Sequence, residues 1–146
     1  MSDEYIVRDF MTAPVTSVPQ DASLLDAALT FRSTGFRYLP VVEGGRIVGV
    51  ISDRDVQRVS PSLFSKLSQE EYNDVFRTTP IKDVMTRNPI TVTPDTPLSE
   101  AATILDEHKV GCLPVVQDGQ LVGIITVIDM LKVLILYLRG RAGVIT

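Results

Sequence analysis

The apolar and polar positions along the chain fall into one order of elements, and that order occurs twice. Val15-Thr16-Ser17-Val18 and Ile90-Thr91-Val92 are short β-branched runs that stop at a proline or a Thr-Pro, which predicts two strands. Helical segments follow over 23–33 and 97–108. In the second, Leu98, Ala101, Ala102 and Leu105 recur at i, i+3, i+4 and i+7 and make one apolar stripe. Ser23 is placed to cap the first helix, Gly35 to end it, and Pro97 to open the first turn of the second.

Each half then has a hairpin. Leu39-Pro40-Val41-Val42 and Ile47-Val48-Gly49-Val50-Ile51 flank Glu43-Gly44-Gly45-Arg46. Leu113-Pro114-Val115-Val116 and Leu121-Val122-Gly123-Ile124-Ile125 flank Gln117-Asp118-Gly119-Gln120. Gly-Gly and Asp-Gly tolerate the positive φ that a type I′ turn demands at both centres. The hairpin strands are near-continuous apolar runs, so they are expected to be covered on both faces, by helices on one side and by the other half on the second. A last helix closes each half, beginning at Ser52 and at Thr126. The later one, to about Leu138, carries Ile128, Leu131, Leu134, Ile135 and Leu138, more apolar surface than one face needs.

A shift of 74 residues lays the chain on itself without gaps over its best stretch. Met11-Thr12 falls on Met85-Thr86, Leu39-Pro40-Val41-Val42 on Leu113-Pro114-Val115-Val116, Gly49 on Gly123 and Asp55 on Asp129. The reading is an internal duplication: a first repeat over 1–58, a connector over 59–80, a second repeat over 81–138 and a tail over 139–146. Ser68-Gln69-Glu70-Glu71 is a capping-box pattern, so part of the connector is expected to be helical. The predicted class is mixed α and β, with two β-α-β-β-α repeats.

Composition removes several functions. The 146 residues carry a net charge of −4 and no sizeable basic patch, which argues against binding duplex nucleic acid; the basic pair Arg139 and Arg141 is short. One cysteine, Cys112, cannot form an internal disulfide, and with one histidine, His108, the usual transition-metal ligands are nearly absent. The start, Met1-Ser2-Asp3-Glu4, is acidic and precedes no apolar stretch of signal-peptide length. The most apolar run, Met130 to Leu138, falls well short of the roughly 20 residues that span a bilayer. A cytoplasmic location without membrane insertion is therefore expected.

Each half resembles a CBS domain, the repeat named after cystathionine β-synthase. The residues that carry the resemblance are Val7-Arg8-Asp9-Phe10-Met11-Thr12 with Ile81-Lys82-Asp83-Val84-Met85-Thr86, the Leu-Pro-Val-Val blocks, and the endings Gly49-Val50-Ile51-Ser52-Asp53-Arg54-Asp55 and Gly123-Ile124-Ile125-Thr126-Val127-Ile128-Asp129. The resemblance implies a pair of repeats meeting sheet to sheet about a pseudo-two-fold axis. It implies clefts between them for AMP, ADP, ATP or a related adenosyl ligand, and association into a homodimer. It also implies energy or ligand sensing on behalf of a separate enzyme, channel or transporter.

Asp55 and Asp129 each end a Ser/Thr-x-x-Asp segment, which by itself reads as a helix cap with an acid that suits the dipole. Within the recognised repeat each carboxylate is read as an acceptor for vicinal ribose hydroxyls, chemistry that dinucleotide-binding folds also use. Ser52 and Thr126 are read as caps that also touch sugar or phosphate, with helix-start N–H groups favouring anions. Arg54 is a candidate phosphate partner, and its counterpart Ile128 is not, so the site with Asp55 is expected to prefer phosphorylated ligands. From the family, the base slot is expected at Thr16, Val18, Arg37, Tyr38 and Pro40 in one half and at Thr91, Val92, Gly111, Cys112 and Pro114 in the other. Core packing competes as the role of the apolar members, whereas Arg37 and Tyr38 can meet phosphate or stack on adenine. Cys112 reads as a small buried hydrophobe and His108 as a surface or capping residue. Asp53 and Asp55 lie two apart on a helix start and do not face one another, so a Mg²⁺ carried in by ATP is a better reading than a protein metal site.

The favoured function is a regulatory module that binds an adenine nucleotide and signals to a partner. The alternative is a dimerisation scaffold with no nucleotide. No nucleophile–base pair, P-loop or metal triad is present to support an enzyme. A start at methionine without a catalytic domain favours a separate effector, and an excised regulatory region of a longer chain is the other possibility.

Overall fold

The computed structural model of the chain describes residues 4–59 and 68–145. Most of the predicted elements form, each for the local reason the sequence carries. Strand β1 (Val18–Pro19) is much shorter than the β-branched run suggested, because Pro19 removes an N–H from the ladder. Helix α1 (Leu24–Thr34) starts at Ser23, whose Oγ accepts from the Asp26 N–H while the Asp26 carboxylate accepts from the Ser23 N–H, and it stops at Gly35 in the left-handed region. Strands β2 (Tyr38–Glu43) and β3 (Arg46–Ser52) form the first hairpin, with Gly44 and Gly45 at φ 58° and 82° as a type I′ turn requires. Helix α2 (Asp53–Val59) follows.

The part of the connector over 60–67 lies outside the described residues. Its remainder is largely helix α3 (Gln69–Thr78), capped by Ser68 and Glu71 as the capping-box pattern predicts. Strand β4 (Thr86–Arg87) comes next. Helix α4 (Leu98–His108) takes Pro97 as its cap residue rather than its first helical residue, and Lys109, not a glycine, adopts the left-handed conformation at its end. Strands β5 (Cys112–Gln117) and β6 (Gln120–Thr126) form the second hairpin, and helix α5 (Val127–Ile145) runs several residues past the predicted end at Leu138. The predicted strand at Ile90-Thr91-Val92 reduces to one bridge, Val92 to Val115. Val92 N–H still donates to Pro114 and Val116 N–H to Val92, so the pairing is local rather than lost.

The compact units do not follow the linear repeats. One unit joins residues 1–15 to 90–146 and holds Asp129; the other is 16–89 and holds Asp55. In the Asp55 unit the sheet order is β1-β2-β3-β4, so the segment that opens the second linear repeat supplies an edge strand to the first hairpin. In the Asp129 unit residues 6–12 do the same work. Thr12 and Ile124 exchange backbone hydrogen bonds at 2.8 and 3.1 Å, as the bridge between them records. Val7 N–H donates to Thr96 at 2.9 Å, and Ile81 N–H donates to Ala22 at 2.7 Å in the equivalent place. Val7 and Ile81 are wholly buried, each worth about 1.5–3 kcal/mol on the scale of a buried aliphatic side chain.

Each unit has its own core. Leu24, Ala27, Phe31, Leu39, Val41 and Ile51 build one around α1, joined by Phe76 of α3 and by Met85. Val7, Leu98, Ala101, Leu105, Leu113, Val115 and Ile125 build the other. Both hairpins carry the same irregularity, between Val41 and Val42 and between Val115 and Val116, so the duplication extends to backbone detail.

Candidate functional site

Hairpin register brings most of the polar candidates together. Tyr38 pairs with Ser52 across β2 and β3, and Asp53 N–H donates to the Arg37 carbonyl at 2.9 Å. The chain therefore enters β2 beside the start of α2. Cys112 pairs with Thr126, and Val127 N–H donates to Gly111 at 3.0 Å, which repeats the arrangement around Asp129.

Around Asp55 the surface forms a polar hollow of about 310 Å³, at the small end of the range for ligand sites. Arg37, Tyr38, Ser52, Arg54 and Asp55 line it, five residues singled out from the sequence. Asp53, Gln57 and Arg58 complete the lining. Arg58 was legible one turn after Asp55, at the i, i+3 spacing that faces one helix residue with another. Its guanidinium lies 3.8 Å from Asp55 Oδ1.

The two aspartates are engaged by their own helices. Ser52 N–H donates to Asp55 Oδ2 at 2.8 Å, and Asp55 N–H donates to Ser52 Oγ at 3.0 Å. Thr126 N–H and its hydroxyl both donate to Asp129 Oδ2, at 2.9 and 3.2 Å, and Asp129 N–H donates to Thr126 Oγ1. This is the reciprocal cap of a helix start. It also occupies one carboxylate oxygen of each pair and one of the backbone donors that were expected to favour anions. The two aspartates differ in exposure. The Asp55 side chain is 19% exposed, whereas Asp129 is only 5% exposed as a residue.

The expected base-slot residues separate by type. Val18, Pro40, Val92 and Pro114 are buried, Val18 and Val92 within the two cores, as their competing packing role requires. Thr16 and Thr91 are exposed, and none of Thr16, Val18 and Pro40 lines the polar hollow. Cys112 is buried, and burial pushes its thiol up to about 12. A hollow in the Asp129 unit is apolar, about 330 Å³ between α4 and α5, with Leu105, Val127 and Met130 in its wall. Asp53 accepts from Gln57 Nε2 at 3.1 Å while Asp55 caps its helix, so the two acids have separate partners. Among the described residues no His/Cys/Asp/Glu group could hold a metal ion. No helix of the described residues is long and apolar enough to cross a membrane.

The CBS domain profile matches residues 7–62 and 81–136. A CBS domain-containing protein of Dictyostelium discoideum is 30% identical over 132 residues, covering 89% of this chain and 91% of the relative. The crystal structure of CBSX2 in complex with AMP is 30% identical, covers 90% of this chain and 97% of that one, and superposes with a TM-score of 0.74. The CBS domain pair of protein MJ0100, in complex with 5′-methylthioadenosine and S-adenosyl-L-methionine, is 26% identical, covers 90% and 96% of the two chains, and also gives a TM-score of 0.74. The same stretch matches 23% of the length of an inosine-5′-monophosphate dehydrogenase from Korarchaeum cryptofilum, at 32% identity over 88% of this chain. With two matched repeats that together span most of its length, this chain belongs to the CBS domain family as a tandem pair.

Proposed function

We propose that the chain is a regulatory module that binds an adenosyl ligand, an adenine nucleotide first of all, and transmits its occupancy to a separate partner protein. The observation that carries the reading is the hollow at Asp55. An accessible carboxylate, a tyrosine and three arginines converge there on a volume of about 310 Å³. A carboxylate accepts hydrogen bonds from two vicinal hydroxyls, a tyrosine stacks on a base, and guanidinium groups bind phosphate. Two relatives of similar fold were crystallised with AMP or with adenosyl sulfur compounds, which supports this ligand class. ATP would bring its own Mg²⁺, since the described carboxylates form no metal cluster. The module catalyses nothing by this reading and works in the cytoplasm as a homodimer.

A second reading, a dimerisation scaffold with no nucleotide, draws on two observations. Both aspartates have a structural role as helix caps. Helix α5 also exposes Ile128, Leu131, Leu134, Ile135 and Leu138, each about half exposed. Thermal unfolding with AMP, ADP, ATP, S-adenosylmethionine or NAD at about 1 mM decides between them, because a ligand at 100-fold over its dissociation constant adds about 2.7 kcal/mol. A shift with one ligand, absent in the Asp55→Ala, Asp129→Ala double variant, supports the sensor; no shift with any of them leaves the scaffold. Nucleotide hydrolysis by the pure chain, lost in Asp55→Ala, would make it an enzyme instead.

A further inference from the structure

We infer that two copies of this chain pair through α5 in the antiparallel sense, each copy seating its Leu138 over the apolar hollow of the other. This rests on the homodimer reading above and supplies the surface, the orientation and the contacts of that dimer.

Val127, Leu131, Leu134 and Leu138 follow one another at intervals of 4, 3 and 4 residues, the spacing of a seam that packs into a second helix. All four are about half exposed in the single chain. Ile128 and Ile135 widen the stripe on one side, whereas Met130 and Val133 pack against the core of their own unit. Helix α5 therefore has two apolar faces, one used by the fold and one left over. The first repeat has no counterpart. The positions of α2 equivalent to Val127, Ile128 and Leu131 are Asp53, Arg54 and Gln57, all in the lining of the polar hollow. The seam is a property of the Asp129 unit, not of the repeat.

A 4-3-4 spacing reads the same in both directions. Laid antiparallel, Val127 faces Leu138 of the second copy and Leu131 faces its Leu134, with the two-fold axis between residues 132 and 133. Such a contact is isologous and closes on itself. Two features choose this sense over the parallel one. The apolar hollow of about 330 Å³ has Val127 in its wall, beside Ala102, Leu105 and Met130. Antiparallel pairing brings the larger Leu138 to it, whereas parallel pairing sets valine on valine. Asp106 and Lys109 line the same hollow, in an exposed ion pair 3.5 Å long. A pair of that kind contributes little, so Asp106 can take a second cation. Arg139 is exposed and follows Leu138, so the antiparallel sense delivers it to Asp106. In the parallel sense it stays roughly 18 Å away along the helix, at 1.5 Å per residue.

Disulfide trapping reads the orientation. Val127→Cys and Leu138→Cys chains are purified separately, mixed, oxidised mildly and resolved by mass. Both sites are about half exposed, so the variants should fold, their melting curves check that, and the native Cys112 is buried. The expected product is the mixed disulfide, at least tenfold over either homodisulfide, because a bridge needs Cα atoms within about 7 Å and like positions lie at opposite ends. Homodisulfides in each variant alone mean parallel pairing. No bridge in a chain that light scattering shows to be a dimer means another face. Either result overturns the inference while the homodimer stands. A wild-type chain that is monomeric at micromolar concentration overturns both and leaves the seam to a helix of the effector. At the rim, Asp106→Arg should weaken self-association at least threefold, and adding Arg139→Asp should restore it. An unchanged dissociation constant in Asp106→Arg overturns the part given to that pair.

Discussion

The sulfur of Met11 lies against Gly123, although the two belong to different linear repeats: a Cβ added at Gly123 would meet it at 2.8 Å and the Thr12 carbonyl at 3.1 Å. Met85 and Gly49 are the equivalent pair, at 2.5 Å, with the Thr86 carbonyl at 2.8 Å. A methionine side chain can move, but the carbonyl belongs to a backbone that is hydrogen-bonded to the same strand. Gly49→Ala and Gly123→Ala are therefore expected to destabilise by about 1–3 kcal/mol, the cost of overpacking, with Gly49 the more sensitive site. Denaturant midpoints measure this, and a loss below about 0.5 kcal/mol at Gly49 would show that the edge segment yields freely.

The N-terminal segment should matter more to residues 90–146, whose unit it shares, than to the rest of its own linear repeat. Removing residues 1–12 takes away Val7, which is fully buried among Leu98, Leu113 and Ile125 in the second core. It also removes the backbone pairing of Thr12 with Ile124. Hydrogen exchange in the truncated chain is expected to rise in 98–126 first, with 24–52 better protected. The reverse order would contradict the exchanged packing.

Asp129→Ala should cost about 0.5–2 kcal/mol with no ligand present, because its carboxylate accepts from the Thr126 N–H and hydroxyl at the start of α5. Asp129→Asn keeps an acceptor oxygen and should recover part of the loss. Urea melts of both variants check the order; equal stability of wild type and Asp129→Ala would mean that the cap contributes nothing.

Cys112 should stay a thiol across the physiological range. Unfolded, it titrates near its ordinary value of 9.0, and folded it holds its proton to about 12. Between those values the unfolded chain binds fewer protons, so this contribution to stability is complete below pH 9 and is lost as pH rises toward 12. A thiol reagent at pH 8 is expected to label the native chain slowly and the denatured chain fast. Cys112→Ala should lose less stability than wild type between pH 9 and 11.

The exposed stripe on α5 is expected to hold two copies together. Leu131→Glu with Ile135→Glu places charge on residues that are each 47% exposed in the single chain, so folding should survive while self-association fails. Light scattering after size exclusion reads the change directly. A wild-type chain that is already monomeric at micromolar concentration would remove the homodimer from the proposal.

Local signals were the part that the sequence by itself determined. The Gly-Gly and Asp-Gly turns, the cap at Ser23 and the capping box at Ser68 depend only on neighbouring residues, and each appears in the structure as read; the 74-residue register reappears in the matching strand pairs of the two hairpins. Of the residues lining the Asp55 hollow, Ser52, Arg54 and Asp55 were legible in the repeat ending and Arg37 and Tyr38 through the family resemblance, and hairpin register carries Tyr38 to Ser52. Tertiary structure decided which copy each segment packs on. A repeat states that residues 7–12 and 81–86 are equivalent, but nothing local decides which of the two hairpins each packs on. Val7, Ile81 and Met85 are buried and Met11 is partly buried where a glycine-lined strand edge receives them, and that is in the other repeat. Tertiary structure also set the access of the two carboxylates, because the same Ser/Thr-x-x-Asp pattern leaves Asp55 at the wall of a hollow and Asp129 almost covered.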